Sequence, residues 1–134
     1  MVAVKIAWPR AHRIVSRQDA PISAFDKLVD NPLELEALLR VEALTNPLAR
    51  DAFKTLPAIP VSRRYNGPLA GLIMTPFVIP RTSRFSNGSY GVLYAGYEEN
   101  TALRESAHHQ SLRLNASKAP AGIAISMHGF LVDV

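Results

Sequence analysis

Apolar residues recur along this chain at two spacings, and the change from one to the other divides it. From Asn31 to Phe53 they fall three and four apart, the period of a helix. The segment opens on Asn31-Pro32-Leu33-Glu34, a capping residue, a proline at the first helical position and an acid at the third. A helix is predicted to about Leu44, burying Leu35, Leu38 and Val41, and the second Asn-Pro at Asn46-Pro47 predicts a short helix through Phe53. Leu56 to Pro60 reads as a proline-punctuated connection within one domain. Upstream, Met1 to Trp8 alternates loosely as a first strand or an extended entry, and Ile22 and Phe25 call for a place on the core.

Beyond Gly67 the pattern shortens. The run Leu72 to Ile79 is continuous and partly β-branched, which predicts a strand with Pro76 at an edge or a bulge. Asn87-Gly88 predicts a hairpin turn, so Arg84 should end one strand. From Gly91 to Tyr97 a further strand is expected, with Tyr90, Val92 and Tyr94 on one face. Glu98-Glu99-Asn100 breaks it, and Asn100 or Thr101 caps a helix to about Leu114. A polar turn at Asn115 to Lys118 and an apolar strand from Gly122 to Val132 complete the order. Helices followed by mixed strands predict an α+β domain spanning residues 1–134, helical over about 1–66 and strand-rich over about 67–134.

Composition narrows the function classes. At 134 residues one domain with a sizeable core is expected. The absence of cysteine excludes a disulfide framework, a thiolate zinc site and a cysteine nucleophile. No apolar run approaches membrane-spanning length and no secretory leader is visible, so the cytoplasm is the default location and no membrane partner is expected. The net charge of +4 is spread along the chain, with small clusters at Arg10 to Arg17 and at Arg63-Arg64. It suits a solvated basic surface, an acidic protein partner or nucleic acid, but no Lys/Arg run or recognition-helix pattern accompanies it.

The chemistry concentrates between Arg84 and Glu105. Arg84 can grip a phosphate through parallel charge-assisted hydrogen bonds, Tyr94 can present a flat face, and Glu105 can stabilise positive charge developing on a sugar carbon. Together they suggest a nucleotide site, the alternative being an Arg84–Glu105 pair that organises the fold. Ala102, Glu105, His109 and Leu112 share a helical stripe, which draws Glu105 toward apolar neighbours with Arg84 as an available partner. Glu105 with His108 and His109 lacks the His-Glu-x-x-His pattern, so no metal is expected, and His109 is read as orienting Glu105 or packing beside it. Phosphate loops of the Rossmann or Walker type and a Gly-x-Ser-x-Gly motif are absent.

An Arg followed by an aromatic and a glycine turn, a Tyr ten positions after the Arg and a Glu eleven positions after the Tyr resemble the RES-domain family, the toxin half of many bacterial toxin–antitoxin pairs. Arg13-Ile14-Val15-Ser16, Leu44-Thr45-Asn46-Pro47 and Gly67-Pro68-Leu69-Ala70 also look like longer members. The resemblance implies a fold related to ADP-ribosyltransferases and cleavage of the nicotinamide–ribose bond of NAD by hydrolysis, phosphorolysis or ADP-ribosyl transfer. It implies that Arg84 holds an NAD phosphate or ribose, that Tyr94 lines the nicotinamide pocket and that Glu105 is the principal catalytic carboxylate. NAD as substrate and a helix-turn-helix antitoxin as partner are implied with it, any nucleic acid being reached only through the antitoxin.

The signature Ser of the family lies in a later strand, and Ser126 is too early to match it. The expectation is therefore a shortened member whose open apolar end favours a homo-oligomer or a heterocomplex. Two other classes stay open: an inactive member acting as a protein-binding module, and a small basic nucleic-acid-binding domain.

Overall fold

The computed structural model describes residues 7–16, 22–27, 29 and 31–133. It is an α+β structure, with four α-helices and two small antiparallel sheets among the described residues. The chain folds as two compact units, one of residues 21–93 and one of residues 1–20 together with 94–134.

In the unit of residues 21–93 the Asn-Pro signals act as read. Helix α1 spans Pro32–Glu42 and α2 spans Pro47–Thr55. The carboxamide oxygen of Asn31 accepts the Leu33 amide at 2.9 Å, and that of Asn46 accepts the Leu48 amide at 3.0 Å. Each cap satisfies an amide that has no partner within its helix. Leu39, Ala49, Ala52 and Leu56 close against Ile22 and Phe25, with Leu35 and Leu38 packed at the margin. Val41 is a correction: it is 66% exposed, on the far side of α1 from this core.

Glu42 fastens the entry to this unit. Its carboxylate accepts the backbone amides of Ser23 at 2.9 Å and Ala24 at 2.7 Å and the Asn46 side-chain amide at 3.0 Å, tying the 3-10 turn Ser23–Lys27 to the end of α1. Burial pushes the Glu42 carboxyl up, but the hydrogen bonds from Ser23, Asn46 and Ala24 outweigh it and hold the group below its ordinary value.

The apolar run expected as a strand is a helix, α3, spanning Ala70–Val78. Tertiary contacts override the local preference. Asp26 accepts the Gly71 amide at 2.8 Å in the first turn of α3, and Ala70, Met74 and Val78 recur at the helical period and are buried. Pro76 sits inside the helix, and Thr75 returns its hydroxyl to the Gly71 carbonyl one turn earlier.

The hairpin turn lies three residues earlier than the Asn-Gly signal predicts. Strand β2, Thr82–Ser83, pairs with β3, Ser86–Asn87, so the turn is made by Arg84 and Phe85. Gly88, at φ +94°, serves the next bend instead. There Asn87 Oδ1 accepts the Ser89 amide at 3.0 Å, and the Ser86 hydroxyl donates to the Tyr90 carbonyl at 2.6 Å.

The second unit is built on a pairing between distant parts of the chain. Strand β1, Ala11–Ser16, runs antiparallel to β4, Met127–Val132, in register from Ala11 opposite Val132 to Ser16 opposite Met127. The expected strand from Gly91 to Tyr97 is reduced to one bridge, in which His12 and Gly96 exchange both amide hydrogen bonds, at 2.7 and 2.8 Å. The expected terminal strand from Gly122 begins only at Met127. Of the strand or extended entry read over Met1 to Trp8, residues 1–6 lie outside the described residues, and Ala7 and Trp8 are in no strand. Among the described residues no helix is long and apolar enough to cross a membrane.

Candidate functional site

Helix α4, Glu99–Ala116, carries the catalytic candidate Glu105. Its start is set by the bridge before it, not by Asn100 or Thr101. The chain leaves β1 at Gly96 and turns at once, with Glu98 in the capping position and its carbonyl accepting the Ala102 amide at 3.1 Å. A Cβ on Gly96 would lie 3.0 Å from the Ala102 nitrogen, so a side chain there would push the first turn of α4 off the strand. Farther along, the Ser106 hydroxyl donates to the Ile14 carbonyl at 3.1 Å and pins the helix to β1.

These two attachments decide which face of α4 is free. Ser106 and buried Ala102 face the strand, while Glu105 and His109 lie outward with 67% and 64% of their side chains exposed. The expectation that an apolar stripe draws Glu105 into a core is therefore overturned: Leu112 is itself 54% exposed, and Ala102 is the buried member of the stripe. Glu105 meets His109 instead, its carboxylate 3.6 Å from Nε2 one turn along.

Tyr94 joins this pair. Its ring centroid is 6.3 Å from that of His109, the planes tilted by 56°. A carboxylate, an imidazole and a phenol thus share one exposed face of a single unit. Such a face can accept hydrogen bonds from a sugar, stabilise a cation and offer an aromatic surface to a flat ring.

Arg13 supports Tyr94 from β1. Its Nη1 donates to the Tyr94 carbonyl at 2.7 Å, which fixes the backbone from which the phenol projects. Burial lowers the guanidinium from its ordinary value, though an arginine stays charged. The Nε of Arg13 is buried without a hydrogen-bond acceptor. In the sequence Arg13 stands out only as part of a basic cluster and of a stretch resembling longer members. An arginine alternating with apolar neighbours in a strand is the signal that marks it, because a guanidinium so placed needs an acceptor.

Arg84 belongs to the other unit. It is exposed in the turn between β2 and β3, with Cζ 5.6 Å from the Phe85 ring centroid. The Tyr90 hydroxyl donates to the Phe85 carbonyl and stiffens the turn that presents both side chains. Among the described residues no three His, Asp or Glu side chains gather in a way that could hold a metal ion.

On the opposite side of α4 runs an open groove of about 540 Å³, lined by Ile14, Leu103, Ala107, Leu114, Ile125 and Met127 among others. It is mainly apolar and separate from the Tyr94–Glu105–His109 face.

The model of one protein family, described as the RES domain, matches residues 37–134. The match takes in Arg84, Tyr94, Glu105 and His109 and leaves out Arg13. No curated protein and no solved structure matches the chain.

Proposed function

Because the chain belongs to the RES-domain family, whose domain is found in the toxins of toxin–antitoxin pairs, we propose that it is such a toxin and that it breaks the nicotinamide–ribose bond of NAD. The observation that carries this reading is the exposed carboxylate of Glu105, 3.6 Å from His109 and beside the Tyr94 ring. Glycosidic cleavage needs a carboxylate next to the reacting sugar, because the transition state resembles an oxocarbenium ion.

In this reading Glu105 accepts a hydrogen bond from a ribose hydroxyl and stabilises the positive charge that grows on the anomeric carbon. The electron pair of the breaking C–N bond departs with nicotinamide and cancels the charge on its ring, so the leaving group needs no acid. His109, with Nε2 3.6 Å from the Glu105 carboxylate, limits the orientations open to it. Tyr94 holds the nicotinamide or ribose, and Arg13 keeps the Tyr94 backbone in place. Arg84 binds a phosphate or ribose of the dinucleotide through its planar fork. Water, inorganic phosphate or a protein side chain then completes the bond to ribose, giving hydrolysis, phosphorolysis or ADP-ribosyl transfer. A helix-turn-helix antitoxin is the proposed protein partner.

Glu105→Gln tests the assignment, since it keeps the shape and removes the charge. We expect nicotinamide release to fall by about 100-fold or more with the fold retained by circular dichroism. Undiminished release by the folded variant contradicts the role of Glu105.

A further inference from the structure

The outer face of α1 is apolar where a helix facing water is normally polar. Leu33 is 74% exposed, Val41 66% and Leu44, in the turn that ends the helix, 78%. With exposed Ala37 they follow one another at steps of four, four and three, a single stripe along the helix. The core of the unit is served by the other side of α1, through Leu35, Leu38 and Leu39. One exposed leucine needs no explanation, but three large aliphatic residues in line form a patch that soluble proteins normally cover.

The charges beside the stripe indicate what covers it. Glu36 and Arg40 lie one turn apart along one flank, and the Arg40 guanidinium is held there over the Phe53 ring, 5.3 Å from its centroid. A two-fold axis perpendicular to the helix brings a second copy of α1 in antiparallel and turns the same flank of each helix toward the other. In that register Leu33 meets Leu44 of the second copy, Ala37 meets Val41, and Glu36 meets Arg40, every contact being made twice. Small Ala37 opposite Val41 lets the axes approach, and the antiparallel dipoles attract.

We propose that this stripe is a self-association surface, on which a second copy of this chain packs its own α1 antiparallel. Helix α1 has 11 residues. Its face is smaller than the roughly 800 Å² per partner of a standard interface, so the dimer is weak, with a dissociation constant on the order of 10–100 μM. The surface uses none of the residues assigned to NAD and stands independently of that reading.

Sedimentation equilibrium of the full chain from about 10 μM to 1 mM tests it. The wild type should pass from monomer to dimer across that range. Val41→Glu should weaken association at least tenfold, with circular dichroism unchanged because the position is exposed. Glu36→Arg alone should also weaken it by setting two arginines against each other, and the double variant Glu36→Arg, Arg40→Glu should restore it. A wild type that stays monomeric to 1 mM overturns the proposal. So does association untouched by both single variants, or a double variant no better than Glu36→Arg alone. Should Val41→Glu lose its fold, the charge series decides.

Discussion

At the scale of single residues the proposed site needs hydrogen-bonding geometry as well as charge. Arg84 is assigned to phosphate or ribose because its fork makes two parallel bonds, which lysine cannot reproduce. Arg84→Lys should weaken NAD binding about tenfold in calorimetry, and equal affinity would return Arg84 to an ordinary surface role. As candidates only, Arg84, Tyr94 and Glu105 were legible, because their types and spacings stand out. The surroundings of Glu105 were not. A stripe of four positions is too sparse to orient a helix, and what orients α4 is Ser106 bonded to the carbonyl of Ile14, a residue 92 positions away. The support that Arg13 gives Tyr94 was hidden for a related reason, since its bond to the Tyr94 carbonyl spans 81 positions.

At the scale of elements, local chemistry was readable where it was self-contained. Asn31 and Asn46 cap the helices that their Asn-Pro steps announce, because cap and amide lie two residues apart. The run that became α3 was misread because its composition suits either state, and the choice falls to Asp26 and the core beneath it. The coil after the hairpin lies tightly on this helix. A Cβ on Gly91 would stand 2.1 Å from the Pro76 carbonyl oxygen and 2.5 Å from the Phe77 Cα, both backbone atoms that cannot swing aside. Gly91→Ala should therefore cost about 3 kcal/mol in urea unfolding. A loss below about 0.5 kcal/mol, the ordinary range of surface changes, would show that the coil does not pack this way. The hairpin register was missed because Asn-Gly serves the bend after β3 and not the β2–β3 turn.

At the scale of the whole molecule, the α+β class was legible from the order of helical and strand-like segments, while the pairing of β1 with β4 was not, since no local rule joins residue 11 to residue 132. Stability as a whole should carry the mark of Glu42. Its folded value lies below its unfolded one, so its contribution is complete above the unfolded carboxylate range, near pH 4.3, and is lost as pH falls through the folded value. Glu42→Gln should cost about 1–2 kcal/mol at pH 7, and the gap from wild type should close in acid. A gap constant from pH 7 to pH 3 would mean that the carboxylate charge plays no part. The central claim is that this chain cleaves NAD, and the most direct measurement is incubation of the intact wild-type protein with NAD, following nicotinamide and the remaining dinucleotide together by chromatography. The account predicts that nicotinamide appears mole for mole as NAD disappears, with the ADP-ribosyl part recovered free, phosphorylated or attached to protein. NAD that stays intact with folded protein, in phosphate buffer as well as without phosphate, would contradict it.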